Sequence, residues 1–336
     1  FVSPNGLLLQ KTRLGFCLSG TIEDPDNDIQ IHEAHFIDTA LELDNKLQSF
    51  WHNEDCPSKY DDRKGMSYED RRAYETIKES TRFEDGHFTV RQPWRKMPPS
   101  LPNNRGEVFN RFLTTHSKFK NNPKTFTNYS NSIVKLLQEG HAELVPSSQV
   151  WKKDGTVRYL PHHTVKHPRK DPRLVFDTSM SAKGTSLNQA MFTGPDLLNN
   201  LVGVFVRFRQ HAVPVSADLK SFYLSVRIPE SDWDFFRFFF YSDPTDMNSS
   251  IVEYRFRVHI FGGNASQACC VHALFTAIDW AVKDDIITES EAKRLKAAFY
   301  ADDFLDSFPE TDEAQDLMKR LIFLLEKYGF KLVKFT

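Results

Sequence analysis

The sequence predicts an α+β fold in which an antiparallel sheet carries helices on one side. Two observations lead there. Over roughly the last 130 residues the apolar segments run in the order strand, helix, hairpin, helix, strand, and no internal repeat is visible, which excludes solenoids and propellers. The composition is that of an ordinary globular protein: 336 residues, 40% apolar and 26% charged, with a formal net charge of -2. At ~150 residues per domain, this length suggests about two domains. No apolar run approaches the ~18 residues of a membrane span, because Arg207 and Arg209 interrupt the stretch after Leu201 to Val206. Cys17, Cys56, Cys269 and Cys270 show no C-x-x-C spacing, so neither a disulfide framework nor a zinc site is indicated, and a reduced, intracellular setting is expected. The sequence opens at Phe1 without a signal-peptide pattern and reads as a segment of a longer chain.

The elements follow in order. The first twenty residues look strand-like, punctuated by Gly6 and Gly20. Residues from Trp51 to Arg72 are polar, lack sustained apolar periodicity and read as linker. Asp85-Gly86 is a hairpin turn ahead of an alternating His87-Phe88-Thr89-Val90, and Pro93 to Pro102 must be irregular or extended. Glu107 to Asn121 reads as a helix, and Pro123 starts another that Gly140 closes. Short strands are expected from Glu143 to Phe176 and a helix from Leu197 to Gln210. Strand candidates follow at Ala212 to Val226, broken near Lys220, and at Asp234 to Tyr241 and Val252 to Ile260. A helix from Ala265 to Asp284 leads to a hairpin around Tyr300 to Phe308. The last helix, Asp312 to Tyr328, aligns Leu317, Leu321, Leu324 and Tyr328 on one face and stops at Gly329.

Charge is unevenly distributed. From Glu23 to Asp62 twelve acidic residues face two lysines, while from Lys152 to Arg173 seven basic residues face two aspartates. The second segment suits an anionic partner and the first a solvated linker. Among the three Asp-Asp pairs, Asp302-Asp303 stands out because Phe299-Tyr300-Ala301 precedes it and Phe304-Leu305 follows it. Carboxylates in an apolar hairpin face a desolvation cost that a cation or a hydrogen-bond network must offset. Asp218 repeats the anomaly in the strand-like run from Val213 to Leu219. On neighbouring strands, these carboxylates would hold two divalent ions ~3.5 to 4 Å apart, as phosphoryl transfer requires. All-oxygen ligation favours magnesium, or manganese, over zinc. Lys166 and Arg173, with Arg169 and Lys170 between them, would then hold a triphosphate. His162 and His163 lack a second His/Cys pair and read as structural. Cys269 and Cys270 read as core, and the aromatic series Phe235, Phe236, Phe238, Phe239 and Phe240 reads as packing.

Tyr300-Ala301-Asp302-Asp303 resembles the Tyr-x-Asp-Asp box of reverse transcriptases, and Ala217-Asp218-Leu219-Lys220-Ser221-Phe222-Tyr223 resembles their first catalytic motif. Leu160-Pro161-His162-His163, then Arg173 to Ser179 and Ser186-Leu187-Asn188, are similar to the fingers segment of BEL/Pao long-terminal-repeat retrotransposons. Lys11 to Phe16 with Ser19-Gly20 resembles the end of the aspartic protease that precedes the polymerase there. Phe50 to Glu54 and Asp85 to Pro93 resemble the connecting region. The resemblance thus covers nearly the whole chain. It implies a protease C-terminal remnant at 1–22, a partly disordered connector at 23–105, and the fingers and palm of a right-hand polymerase at 106–336, without thumb or RNase H.

The implied activity is RNA-directed DNA polymerisation within a retrotransposon polyprotein, with two Mg2+ ions (or Mn2+) driving nucleotidyl transfer to a primer 3'-hydroxyl. Asp218, Asp302 and Asp303 are the implied catalytic and metal-binding residues. Lys166, Arg173, Tyr223 and Gly262 are implied to bind the nucleotide, with Tyr223 as a steric gate against ribose, and Ser266 to face template or primer. Implied partners are an RNA or DNA template with primer, deoxynucleoside triphosphates, and the protease, RNase H and integrase domains of the polyprotein, but no membrane. The implied location is cytoplasmic, in virus-like particles, with a nuclear phase compatible. Gln267 departs from the family, where a proline is usual, and no Asp-Ser-Gly or Asp-Thr-Gly accompanies the protease-like segment. The alternatives are a catalytically silent nucleic-acid-binding remnant or co-opted fragment, and an RNA-directed RNA polymerase, which the bulky Tyr223 and the Arg173 to Asn188 pattern disfavour.

Overall fold

A computed structural model describes residues 8–12, 15–19, 66–152, 155–165 and 173–336. The chain divides into two compact units, Phe1–Tyr60 and Asp61–Thr336. In the first, β1 (Leu8–Thr12) pairs antiparallel with β2 (Gly15–Ser19), Leu8 opposite Ser19 and Thr12 opposite Gly15. The acidic stretch expected as linker lies outside the described residues.

The second unit begins earlier than the sequence suggests. Helix α1 (Tyr68–Ser80) occupies part of the expected connector: Ser67 accepts from the Asp70 N–H at 3.1 Å, Glu69 and Asp70 complement the helix dipole, and Ala73 and Ile77 are buried one turn apart. Two apolar residues spaced i, i+4 were too little periodicity to read in a polar stretch. Next come the hairpin β3 (Arg82–Glu84) and β4 (His87–Thr89), turned at Asp85 and Gly86 with positive φ at both. Helices α2 (Arg105–Asn121) and α3 (Pro123–Gln138) follow as expected. Gly140, at φ +71, allows the His141 N–H to reach the Leu136 carbonyl at 2.9 Å and ends α3.

The remaining strands build two larger sheets and a hairpin. They are β5 (Ala142–Leu144), β6 (His162–Val165), β7 (Arg173–Phe176), β8 (Val213–Leu219), β9 (Arg237–Tyr241), β10 (Ile251–Phe256), β11 (Phe299–Tyr300), β12 (Asp303–Phe308) and β13 (Leu332–Val333). One sheet has the order β5-β10-β9 and the other β11-β12-β8-β13, both antiparallel, while β6 and β7 pair with each other. The later helices of more than one turn are α4 (Leu201–Phe208), shorter than expected because Asn200 caps it through the Gly203 N–H, then α5 (Ser266–Lys283), α6 (Glu289–Ala298) and α7 (Thr311–Lys327). The α+β expectation holds. Helix α6 was missed although Thr288 and Glu291 form a reciprocal capping box there.

Two cores sit under these sheets. Phe238, Phe240, Tyr129, Tyr159, Phe176 and Phe256 fill the one at β9 and β10, so the phenylalanine run packs rather than presents itself. In the other, Ala217 and Leu219 of β8 and Phe304 and Phe308 of β12 pack with Cys269, Cys270 and Leu274 of α5 and Leu321 and Leu324 of α7. Directly opposed residues in an antiparallel pair share a face. Phe304 lies opposite Ala217 and Phe308 opposite Val213, so this face is the core side; Asp303 and its partner Asp218 therefore share the other. Gly329 ends α7 at φ +83, and a Cβ there would stand 2.4 Å from the Gly86 carbonyl oxygen, so the position accepts only glycine.

Candidate active site

Three carboxylates gather at one end of the β8–β12 pair. Asp303 lies directly opposite Asp218, while Ala301 and Asp302 form the two-residue turn between Tyr300 and Asp303. The turn is tied to β8 because the Leu219 N–H donates to the Asp302 carbonyl at 2.8 Å. Ala301 takes a φ of +53, a conformation L-residues disfavour, which makes the bend tight enough to bring Asp302 beside Asp218.

These groups are not deeply buried, contrary to the expectation from the flanking aromatics. Asp218 and Asp302 are half-buried and Asp303 is exposed. The buried acid of the hairpin is Asp306, on the core face, and Arg294 satisfies it through Nε at 2.7 Å. Alternation along β12 puts Phe304 and Asp306 inward and Asp303 outward, which a reading of flanking residues alone could not separate.

The outer face carries excess negative charge. Burial, followed by the charges of Asp302 and Asp218, raises the Asp303 carboxyl above its ordinary value, and Lys334 partly offsets this. Lys334 Nζ lies 2.6 Å from Asp218 Oδ2, and that contact raises the ammonium in turn. The contact is built by the chain after β13: the Thr336 and Ser216 backbones exchange two hydrogen bonds of 3.0 Å, and Lys334 sits between at φ +58. Among the described residues, no three His, Cys, Asp or Glu side chains stand close enough together to form a ligand cage. The donor set nonetheless fits a hard divalent cation, being all carboxylate oxygen and short of positive charge.

A cleft of about 180 Å³ adjoins this end, lined by Tyr223, Ile260, Phe261, Gly262, Ser266 and Gln267 among others. Tyr223 follows Asp218 through a 3-10 turn that Ser221 opens at φ 54. Its ring is half-buried and stands edge-on to Phe261, centroids 4.6 Å apart. Burial, then the neighbouring Cys270 and Asp302, pushes the Tyr223 hydroxyl up to about 12, so it remains protonated near neutral pH. Gly262 bends the loop at φ +90. Ser266 is buried and donates to the Ile260 carbonyl at 2.8 Å, so its hydroxyl holds the loop together instead of facing outward.

Arg173 is exposed at the start of β7, three residues or about 10 Å along the strand from Phe176, which borders Gly262. Lys166, Arg169 and Lys170 lie outside the described residues. The structure therefore brings together Asp218, Asp302, Asp303, Tyr223, Gly262 and Ser266. Sequence reasoning missed Thr178 and Asn188 as side chains of the loop: both donate to the Gly262 carbonyl, at 2.5 and 3.0 Å. His162 is structural, as expected, with Tyr129 bonded to Nδ1 and Nε2 donating to the Phe239 carbonyl at 2.8 Å. Cys269 and Cys270 are free, buried thiols.

No protein-family model and no curated protein matches the chain. Among the described residues, no helix is long and apolar enough to cross a membrane.

Proposed function

We propose that residues 106–336 are the fingers and palm of an RNA-directed DNA polymerase, part of a retrotransposon polyprotein. One observation carries the reading: Asp218 stands opposite Asp303 in register, with Asp302 held in the adjoining turn and the Tyr223 cleft beside them. Three acidic groups on one solvent-facing edge oppose one another unless a cation joins them. Asp218, Asp302 and Asp303 would hold the Mg2+ ions, which supply charge neutralisation for phosphoryl transfer when bound. Tyr223, half-buried, edge-on to Phe261 and uncharged, would wall the nucleotide's sugar and exclude a second hydroxyl. Arg173 meets the triphosphate with planar donors, and the Gly262 loop lets backbone approach the nucleotide where a side chain would intrude.

A second reading, a silent nucleic-acid-binding remnant, draws support from Lys334, whose ammonium neutralises Asp218 without any metal. Magnesium-dependent primer extension on an RNA template separates the two. Wild type extends, and Asp302→Asn loses at least about a hundredfold in rate, the scale of several kcal/mol of lost transition-state stabilisation. Equal activity in the two proteins, or salt-sensitive template binding without any extension, rejects the polymerase reading.

A further inference from the structure

We infer that Asn188, with Thr178, is a positioning residue that clamps the Gly262 loop and so sets the width of the Tyr223 cleft; the catalytic part of this inference rests on the polymerase reading above. The Asn188 amide bridges two backbone groups of the loop at once. Its Nδ2 donates to the Gly262 carbonyl at 3.0 Å and its Oδ1 accepts from the Asn264 N–H at 3.1 Å. Reversing the amide would set donor against donor and acceptor against acceptor, so the orientation follows from the loop backbone. Thr178 Oγ1 adds a second donor to the Gly262 carbonyl at 2.5 Å, and the two clamp residues are themselves joined, the Asn188 N–H donating to the Thr178 carbonyl at 3.2 Å.

The clamp is anchored independently of what it holds. Leu187, beside Asn188, is buried, and Ser186 and Gln189 cap each other's backbone N–H groups, fixing the turn that presents Asn188. The loop lies against the strand end that carries the clamp, since a Cβ on Gly262 would make van der Waals contact, at 3.4 Å, with both the Phe176 carbonyl oxygen and Thr178 Oγ1. Phe261, the next residue back, is the wall facing Tyr223, yet it is 70% exposed and has little packing of its own to hold it. Its place is set on one side by buried Ile260, whose carbonyl Ser266 holds, and on the other by the bonds at Gly262.

Asn188 is half-buried and belongs to neither core, so its replacement leaves the cores untouched. Asn188→Asp keeps the acceptor for Asn264 and loses the donor to Gly262. In the full chain it should raise KM for deoxynucleoside triphosphates roughly tenfold, as expected for a bond replaced by an unmatched polar contact, with kcat and melting temperature little changed and ribonucleotide exclusion weakened. Thr178→Val should act in the same direction and Thr178→Ser should restore wild-type values. Amide hydrogen exchange decides the clamp apart from activity: Asn188→Ala should speed exchange at Asn264 while α5 stays protected. Unchanged exchange at Asn264 together with unchanged KM overturns the inference. A wild type that neither binds nucleotide nor extends primer rejects the polymerase reading instead, and exchange at Asn264 still decides whether Asn188 holds the loop.

Discussion

The two larger sheets both carry charged side chains on adjacent strands, and they treat them in opposite ways. At β9 and β10, Arg237, Arg255, Asp234 and Glu253 are buried, and every charge meets its opposite. Arg237 reaches Asp234 at 2.7 Å and Glu253 at 2.9 Å, Arg255 reaches Asp234 at 3.1 Å and Glu143 at 2.7 Å, and Arg105 reaches Glu253 at 2.8 Å. Tyr159 and Lys152 complete the set on Glu253 and Asp234. At β8, β12 and the turn before β12, two carboxylates are half-buried and one is exposed, with Lys334 paired to Asp218 alone. Opposite-charge pairing of every buried member marks a structural network. Like charges held side by side by backbone pairing, with one lysine among three carboxylates, are the arrangement on which the proposed function rests.

Arg237→Met tests this contrast hardest. It leaves Asp234 and Glu253 buried beside a missing partner and should cost about 3 to 5 kcal/mol, measured as a lower urea midpoint; a loss below about 1 kcal/mol would mean the network behaves like surface pairs. The second test is acid. Burial lowers His162 from 6.5 to about 4, so between those values the unfolded chain binds a proton that the folded chain refuses. Stability from this residue is complete above pH 6.5 and drains away as pH falls toward 4, by up to about 3 kcal/mol. His162→Gln should flatten that part of the stability-pH curve, and an unchanged slope between pH 7 and 5 would contradict it. The smallest effect has the opposite sign. Asp303→Asn removes a like charge opposite Asp218 and should leave stability unchanged or raise it by up to ~1 kcal/mol; a clear destabilisation would show that the carboxylate is structural. Acid acts on this residue in the same sense, because its raised carboxyl binds a proton more tightly folded than unfolded, so its own contribution improves as pH falls.

Much of this contrast was legible in advance, and the reasons differ by residue. Asp218, Asp302 and Asp303 stood out because acids are rare in strand-like apolar runs, and the helices α3 and α7 because Pro123, Gly140 and Gly329 punctuate a clear apolar stripe. Which acid turns inward was not legible: Asp306, three residues after Asp303, is the buried one, and only the register against β8 distinguishes them. Thr178 and Asn188 lay within a quoted pattern, yet their contacts to Gly262 join residues about eighty positions apart, beyond any local signal. Helix α1 escaped because its buried face is two residues wide.

The pairing of β13 with β8 bears on how the protein comes to fold. The strand bearing Asp218 gains its outer neighbour only from Leu332 and Val333, more than a hundred residues later in the chain. Closing so long a loop is slow. On the ribosome, β8 must therefore wait with an open edge until Leu332 and Val333 have emerged, exposed in the meantime to other strands. The carboxylate edge is thus completed only after Leu332 and Val333 have emerged, and a chain interrupted before Leu332 would display that edge unpaired.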